Sequence, residues 1–289
     1  MLPDSRFPRA AGTLFVVATP IGNLRDITSR ALEVLAKVNL IASEDTRTTR
    51  KLLAAYSIRN RVVSYHEQGG GWETKARGLL ETLLRGQDVA LVSEAGTPGI
   101  SDPGYGLVRL CIQEGITVQV VPGASAILAA LIASGLPANR FAFEGFLPRR
   151  SAQRLRLLES LREETRTMVF FESPKRLAST LAEMAEVLGN RQAAVARELT
   201  KAFEEVRRGA LEELAGWARG CQVMGEVTLV VAGCPQTELN AEDHLRHRVR
   251  FLMERCGLGR REVIKLLEHE TGLSRKTIYR AILECSPSK

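Results

Sequence analysis

Across 289 residues the chain holds five cysteines and 5% aromatic residues, and several familiar signatures are missing. Cys111, Cys221, Cys234, Cys256 and Cys285 lie far apart, with no Cys-x-x-Cys pair and no paired histidines nearby. That spacing argues against a disulfide framework and a structural zinc, and it suits a reducing compartment. No run approaches the ~20 apolar residues needed to span a bilayer, and Met1–Gly12 is too polar for a secretory leader. The expectation is a cytoplasmic protein with no membrane partner and no bound metal. Neither a Gly-x-Gly-x-x-Gly fingerprint nor a Walker lysine loop occurs, which removes the sequence support for nicotinamide-dinucleotide and P-loop chemistry.

What the chain does have is a basic excess, a formal charge of +7, and this excess is uneven. Residues 240–289 carry 11 Lys and Arg against 7 Asp and Glu, whereas the first 239 carry 29 against 26. Such a distribution favours a polyanionic partner met by the C-terminal region.

Short apolar runs alternate with helical patterns. Thr13–Ala18, Asn39–Ala42, Val62–Tyr65, Val89–Val92 and Thr117–Val121 read as strands. Ser29–Lys37, Thr46–Tyr56, Glu73–Arg85 and Tyr105–Glu114 read as the helices between them. This order, with near-continuous apolar strands, predicts a parallel sheet covered on both faces. A second series follows Gly135-Leu136-Pro137, with strands at Phe141–Gly145, Met168–Phe171, Ala193–Glu198 and Glu226–Ala232. Its helices are Ala152–Glu163, Lys175–Leu188 and Leu211–Ala218. After a linker at Gly233–Thr237 the pattern is helical throughout. Val263, Leu266 and Leu267 form an apolar stripe, Thr271-Gly272-Leu273 a turn, and Ser274 a cap for a basic helix, which together suggest helix-turn-helix. The expected fold class is α/β, with two α/β domains (12–122 and 123–236) and a small all-helical domain (240–289).

Four turns rich in Gly and Pro fall at strand ends. They are Ala18–Leu24, Glu94–Gly104, Val120–Ala126 and Phe170–Arg176. The second, Glu94-Ala95-Gly96-Thr97-Pro98-Gly99-Ile100-Ser101-Asp102-Pro103-Gly104, is the most informative. It has too few side chains to build a core, and what it offers is backbone that can approach a ligand closely. Taken singly each turn is an ordinary cap, but at the carboxyl ends of neighbouring strands the four describe one lined cleft.

The ordered set ATPIGNLRDIT, ASEDTRTTRKLL, SYHE, LVSEAGTPGISDPG, VVPGASA, FEGFLPR, FFESPKR and ARELTKAFEEV resembles the tetrapyrrole-methylase superfamily. More narrowly it resembles the branch that methylates a ribose 2′-hydroxyl of a cytidine in 16S ribosomal RNA. Porphyrin-type relatives usually carry Gly-Asp-Pro where this chain has Gly96-Thr97-Pro98. The resemblance implies an S-adenosylmethionine enzyme, usually a homodimer, with the cofactor in the cleft between the α/β domains. It implies a cofactor surface formed by Pro20, by Gly96, Thr97, Ile100 and Asp102, and by Ser125 and Ala126, with Phe171 and Leu199 as apolar walls. The substrate would be 16S rRNA or the 30S subunit.

A ribose hydroxyl is a poor nucleophile, so a base beside the cleft should help. Glu94 and Asp45 are the first candidates and His66 the next; Asp45 reads equally as the cap of the helix that starts at Thr46. Arg25, Arg47, Lys175, Arg176 and Arg197 are placed to meet phosphates, and Arg149 and Arg150 to grip RNA from a loop. Arg50 and Lys51 read equally as phosphate ligands or as a solvated helix face. Arg275, Lys276 and Arg280 of the helix-turn-helix would add affinity. Two other functions fit parts of the sequence: a methylase of porphyrin-like or other small substrates, and a helix-turn-helix regulator that senses a nucleotide-like ligand.

Overall fold

The first sheet is built from five short strands, the central ones buried on both faces. β1 (Leu14–Val17), β2 (Leu40–Ser43), β3 (Val62–Ser64), β4 (Val89–Val92) and β5 (Val118–Val121) pair in the order β3-β2-β4-β1-β5, all parallel. Every residue of β2 and β4 is buried. Alternate side chains serve opposite faces. Leu14 and Leu91 pack with Leu83 of α3 (Trp72–Leu84) and Leu107 of α4 (Tyr105–Gln113). Val17, Ile41 and Val92 pack with Leu35 of α1 (Ser29–Lys37) and Leu52 of α2 (Thr46–Ala55). The computed structural model from which this is read describes residues 11–67, 70–235, 241–250, 252–253 and 258–285.

The second sheet is mixed, in the order β6-β7-β10-β8-β9. Its strands are β6 (Phe141–Phe146), β7 (Thr167–Glu172), β8 (Gln192–Arg197), β9 (Glu205–Ala210) and β10 (Val227–Val231). β6 and β7 run parallel, and the other pairs are antiparallel. Two elements go beyond the sequence reading. β9 is an edge strand, Glu-Val-Arg-Arg-Gly-Ala, whose charges suit an exposed edge and hide its strand character. α5 (Ala126–Ser134) is apolar on all sides, which removes the polar face that normally marks a helix. Its Ile127, Ala130 and Leu131 cover Val169, Ala194 and Val230 of the second sheet. α6 (Ser151–Ser160), α7 (Leu177–Leu188) and α8 (Leu211–Gly220) complete the α/β part.

The chain divides into two compact units, residues 1–159 with 167–232, and residues 160–166 with 233–289. Both sheets belong to the first. The second holds α9 (Ala241–Arg250), α10 (Arg260–Thr271) and α11 (Arg275–Cys285). In it Leu245, Val249, Val263, Ile264, Leu267, Ile278 and Ile282 form a core. Leu266, expected in the buried stripe, is 37% exposed, and Ile264 takes its place on the inner face of α10. Gly272 closes α10 at φ +66°, and Ser274 accepts from the Thr277 N–H, the helix–turn–helix connection read from the sequence. Cys111, Cys221 and Cys234 are free thiols. Cys256, the Cys285 side chain, Gln236–Asn240 and the residues before Ala11 lie outside the described residues.

Candidate active site

The loops that leave the carboxyl ends of the first sheet's strands meet over one cleft within the first unit. The loop after β1 and the loop after β4 are stitched together by a two-residue bridge. The Thr19 N–H donates to the Gly96 carbonyl at 2.9 Å and the Gly96 N–H to the Thr19 carbonyl at 3.1 Å. Gly96 sits at φ +78°, a conformation that a residue with a side chain rarely adopts. At Gly104 (φ +139°) an added Cβ would also lie 2.9 Å from Leu91 Cδ2. Ser101, at φ +62°, is a non-glycine residue held in the same left-handed region, a strained position within this loop.

A cavity of about 400 Å³ opens beside this stitch. Gly96, Thr97, Ile100, Asp102, Ser125, Ala126 and Phe171 are among its lining residues. These are seven of the nine residues expected at the cofactor. The other two lie elsewhere. Pro20 lines a neighbouring cavity, and Leu199 is buried in the apolar core between α5 and the second sheet. The sequence reading missed Ile21, Phe146 and Glu226, all part of the lining. Phe146 owes its position to a register shift between Phe143 and Gly145, where β6 bulges against β7. Though 60% exposed, its ring lies 5.3 Å from that of Phe171, which in turn meets Phe143 edge-on at 5.0 Å. Nothing in the local pattern FEGF distinguishes this ring from a core residue.

The other signature of the cleft is uncompensated negative charge. Burial, reinforced by the charge of Glu44, pushes the Asp102 carboxyl up to about 6, against which a hydrogen bond from Ser93 acts only in part. Burial also raises Glu94, with further contributions from Asp45, Glu44 and Glu226. Among the described residues neither Glu94 nor Asp102 has a Lys or Arg partner. An apolar, aromatic-edged cavity with carboxylates lacking counterions fits a ligand that has a flat ring system and carries positive charge.

Glu94 also lines a second, open depression of about 430 Å³, which it shares with Asp45, Arg47 and His66. The three proposed bases therefore face one space. Asp45 is already committed as the cap of α2: its Oδ1 accepts from the N–H groups of Arg47 (2.7 Å) and Thr48 (3.3 Å). Those backbone bonds hold its carboxyl below the usual range.

The basic residues separate into two groups. Arg25, Arg47, Arg149, Arg150 and Lys175 are exposed, as are Arg275, Lys276 and Arg280 on α11. Arg176 and Arg197 are engaged within the fold. Arg176 pairs with the fully buried Glu172 and donates to the carbonyls of Leu147 and Pro148, while Arg197 meets Glu205 across β8 and β9 at 2.6 Å.

Two sheets that meet at a cleft lined by strand-end loops are the architecture of a known class of methyltransferases. Cobalt precorrin-4 methyltransferase shares it with a TM-score of 0.57 at 18% identity, covering 76% of this chain and 94% of that one. Uroporphyrin-III C-methyltransferase from Thermus thermophilus, solved with S-adenosyl homocysteine, gives 0.54 at 20% identity over 76% and 97%. At these identities the likeness is one of fold. The family profile of the Tetrapyrrole (Corrin/Porphyrin) Methylases matches residues 13–215, and the chain belongs to that family of methyltransferases. Its sequence relatives are narrower in kind. A ribosomal RNA small subunit methyltransferase I of Halalkalibacterium halodurans is 45% identical over 277 residues, covering 93% of both chains. One of Mesorhizobium japonicum is 53% identical over 220 residues, covering 75% of this chain and 74% of the relative.

Proposed function

We propose that this protein transfers a methyl group from S-adenosylmethionine to the ribose 2′-hydroxyl of a cytidine in 16S rRNA, free or within the 30S subunit. The observation that carries the reading is coverage. The relative from Halalkalibacterium halodurans, named for small-subunit rRNA methylation, aligns over 93% of the chain, well beyond the 13–215 that the wider family shares. The basic helix α11 lies beyond residue 215, outside what the wider family shares.

When bound, S-adenosylmethionine supplies an electrophilic methyl on a sulfonium, and the positive charge is lost as the sulfur–carbon bond breaks. Glu94 and Asp102 attract that charge, and Thr97, Ser125 and the loop backbone pair with the donor's polar edges. Ile100, Phe146 and Phe171 cover its flat part. Holding acceptor and donor in line contributes the most, about 7–11 kcal/mol of the barrier where alignment is good. Glu94 accepts the proton of the 2′-hydroxyl as the new oxygen–carbon bond forms; Asp45, whose carboxyl is held low by capping, is the poorer acceptor. Arg149, Arg150 and Lys175 meet phosphates, and Arg275, Lys276 and Arg280 add non-specific affinity.

In the same reading the protein is a cytoplasmic homodimer. Support comes from Val120 on β5 and from Leu128 and Ile132, one turn apart on α5, apolar side chains 57%, 54% and 73% exposed. Among the described residues no helix is long and apolar enough to cross a membrane.

The test is to incubate the protein with labelled donor and either 30S subunits or free rRNA, then to map the label. Methyl on a ribose makes the adjacent phosphodiester resistant to alkali; alkali-labile label, or none, would overturn the reading. Glu94→Gln is expected to lower kcat by about 10²–10⁴-fold. Because the Glu94 carboxyl is raised, wild-type kcat should fall on acidification at a higher pH than an ordinary carboxylate would dictate. In Glu94→Gln that acidic limb should flatten. An unchanged acidic limb would assign the proton to another group.

A further inference from the structure

Pro20, expected at the cofactor, instead lines a separate cavity of about 330 Å³ between the first loop and α2. That cavity shares Ile21, Glu94, Ala95 and Glu226 with the cofactor cavity, so the two open onto the same carboxylates. Its own walls are apolar at Pro20, Leu24 and Leu52 and polar at Thr48, and it carries two ammonium groups, Lys51 and Lys201. Lys51 is exposed and has no ion-pair partner among the described residues.

Lys201 is held with unusual care. Its Nζ donates to Glu198 Oε1 at 2.9 Å and to Glu226 Oε2 at 3.1 Å. The turn that carries it places two non-glycine residues, Glu198 (φ 49°) and Thr200 (φ 66°), in the left-handed region. The same Glu198 carboxylate accepts from the Glu226 N–H at 2.9 Å. It reaches that position only because Gly225 has no side chain, since a Cβ there would lie 2.2 Å from Glu198 Oε1. Thr200 Oγ1 in turn accepts from the Asn23 N–H at 3.1 Å, latching this turn of the second sheet onto the first loop. Strain of this kind persists where surrounding structure enforces it, and it collects at ligand sites. Here it fixes a cation at the junction of the two cavities.

We propose that this second cavity is the seat of the acceptor nucleotide, an unstacked pyrimidine nucleotide of the RNA. The aliphatic walls take the face of the base, Lys51 meets the nucleotide's phosphate at the rim, and Lys201 holds the sugar's polar edge beside Glu94. RNA is read by sequence mainly where bases are splayed out of helices, and an enzyme that must reach a ribose hydroxyl needs such a receptacle next to its donor. The inference rests on the proposed RNA 2′-O-methylation.

The experiment uses the full-length protein, S-adenosyl homocysteine, and 30S subunits reconstituted with 16S RNA transcribed with 5-iodocytidine. After irradiation and digestion, the peptide joined to the methylated position is identified by mass spectrometry. The expected crosslink falls within residues 19–24 or 48–52. A crosslink to Ser64–His66 in the open depression, one elsewhere, or none from protein that methylates the same subunits, overturns the proposal. Lys51→Glu provides an independent measure. It is expected to raise KM for RNA about tenfold, hold kcat, and lower the salt slope of binding by about one unit. Wild-type KM and slope in that variant would remove Lys51 from the site. If wild-type protein places no methyl on any RNA ribose, both the acceptor cavity and the reaction it rests on fall; methylation with the crosslink elsewhere removes the cavity alone.

Discussion

Asp102→Asn is expected to make the ligand-free protein more stable at pH 7.5 while costing it most of its affinity for the methyl donor. The two effects have one cause. Burial pushes the Asp102 carboxyl from 3.8 to about 6, so the folded protein holds this proton more tightly than the unfolded chain does. Stability from that proton is complete below about pH 4, declines as pH rises, and is gone above about pH 6. At pH 7.5 the native state therefore carries a disfavoured charge, worth about 1–2 kcal/mol once solvent screening at this half-buried site is allowed for. The neutral amide removes that penalty, so the melting temperature should rise by a few degrees at pH 7.5. At pH 4, where the wild-type carboxyl is already protonated, it should scarcely change. The same substitution removes a charged acceptor from the donor's cavity, a loss of about 1.5–3 kcal/mol, or roughly 10–100-fold in Kd. Thermal melts at the two pH values and calorimetric titration with S-adenosylmethionine check both halves. Equal stabilisation at pH 4 and pH 7.5 would mean that charge burial is not the cause, and undiminished affinity would remove Asp102 from the donor site.

The loop that carries Asp102, and much of the fold around it, is legible in the sequence. The first sheet reads from its strands because burial on both faces leaves continuous apolar runs such as Val89–Val92, and its loops read from their glycines and prolines. The identity of the cleft followed from those loops lying at the same ends of parallel strands. What stayed hidden was set by contacts distant in sequence. β9 carries the composition of a solvated loop, and only its pairing with β8 makes it a strand. α5 has no polar face, because the second sheet covers one side and apolar side chains remain exposed on the other. Glu226 looks like an ordinary residue at a strand start until Glu198 and Lys201, over twenty positions earlier, fold against it. A bulge aims Phe146 at the cavity, and no periodicity announces a bulge.

Arg176 is the sharpest case, and it supplies the largest stability effect. In sequence, Lys175-Arg176 after a Ser-Pro turn at a strand end reads as a phosphate grip. In the fold, Glu172 at the end of β7 is fully buried, accepting from Thr180 Oγ1 at 2.8 Å and from the Ser173 N–H at 2.6 Å. The Arg176 guanidinium is its counterion at 2.5 Å. It also donates to Leu147 and Pro148, fixing the turn from which Arg149 and Arg150 project. Removing one partner of a buried pair strands the other charge without water, so Arg176→Met is expected to cost about 3–5 kcal/mol of stability. Adding Glu172→Gln should recover a large part of that loss, since a neutral side chain no longer needs the cation. Arg176→Lys should recover less, because an ammonium cannot span the carboxylate and both carbonyls. A phosphate ligand behaves in the opposite way: its loss leaves stability intact and lowers the salt slope of RNA binding by about one unit. Denaturant unfolding of the single and double variants, set beside RNA binding at graded salt, separates the two roles. Wild-type stability in Arg176→Met with a reduced slope would return this arginine to the RNA. A large loss that Glu172→Gln rescues makes it the residue that holds the grip of its neighbours in place.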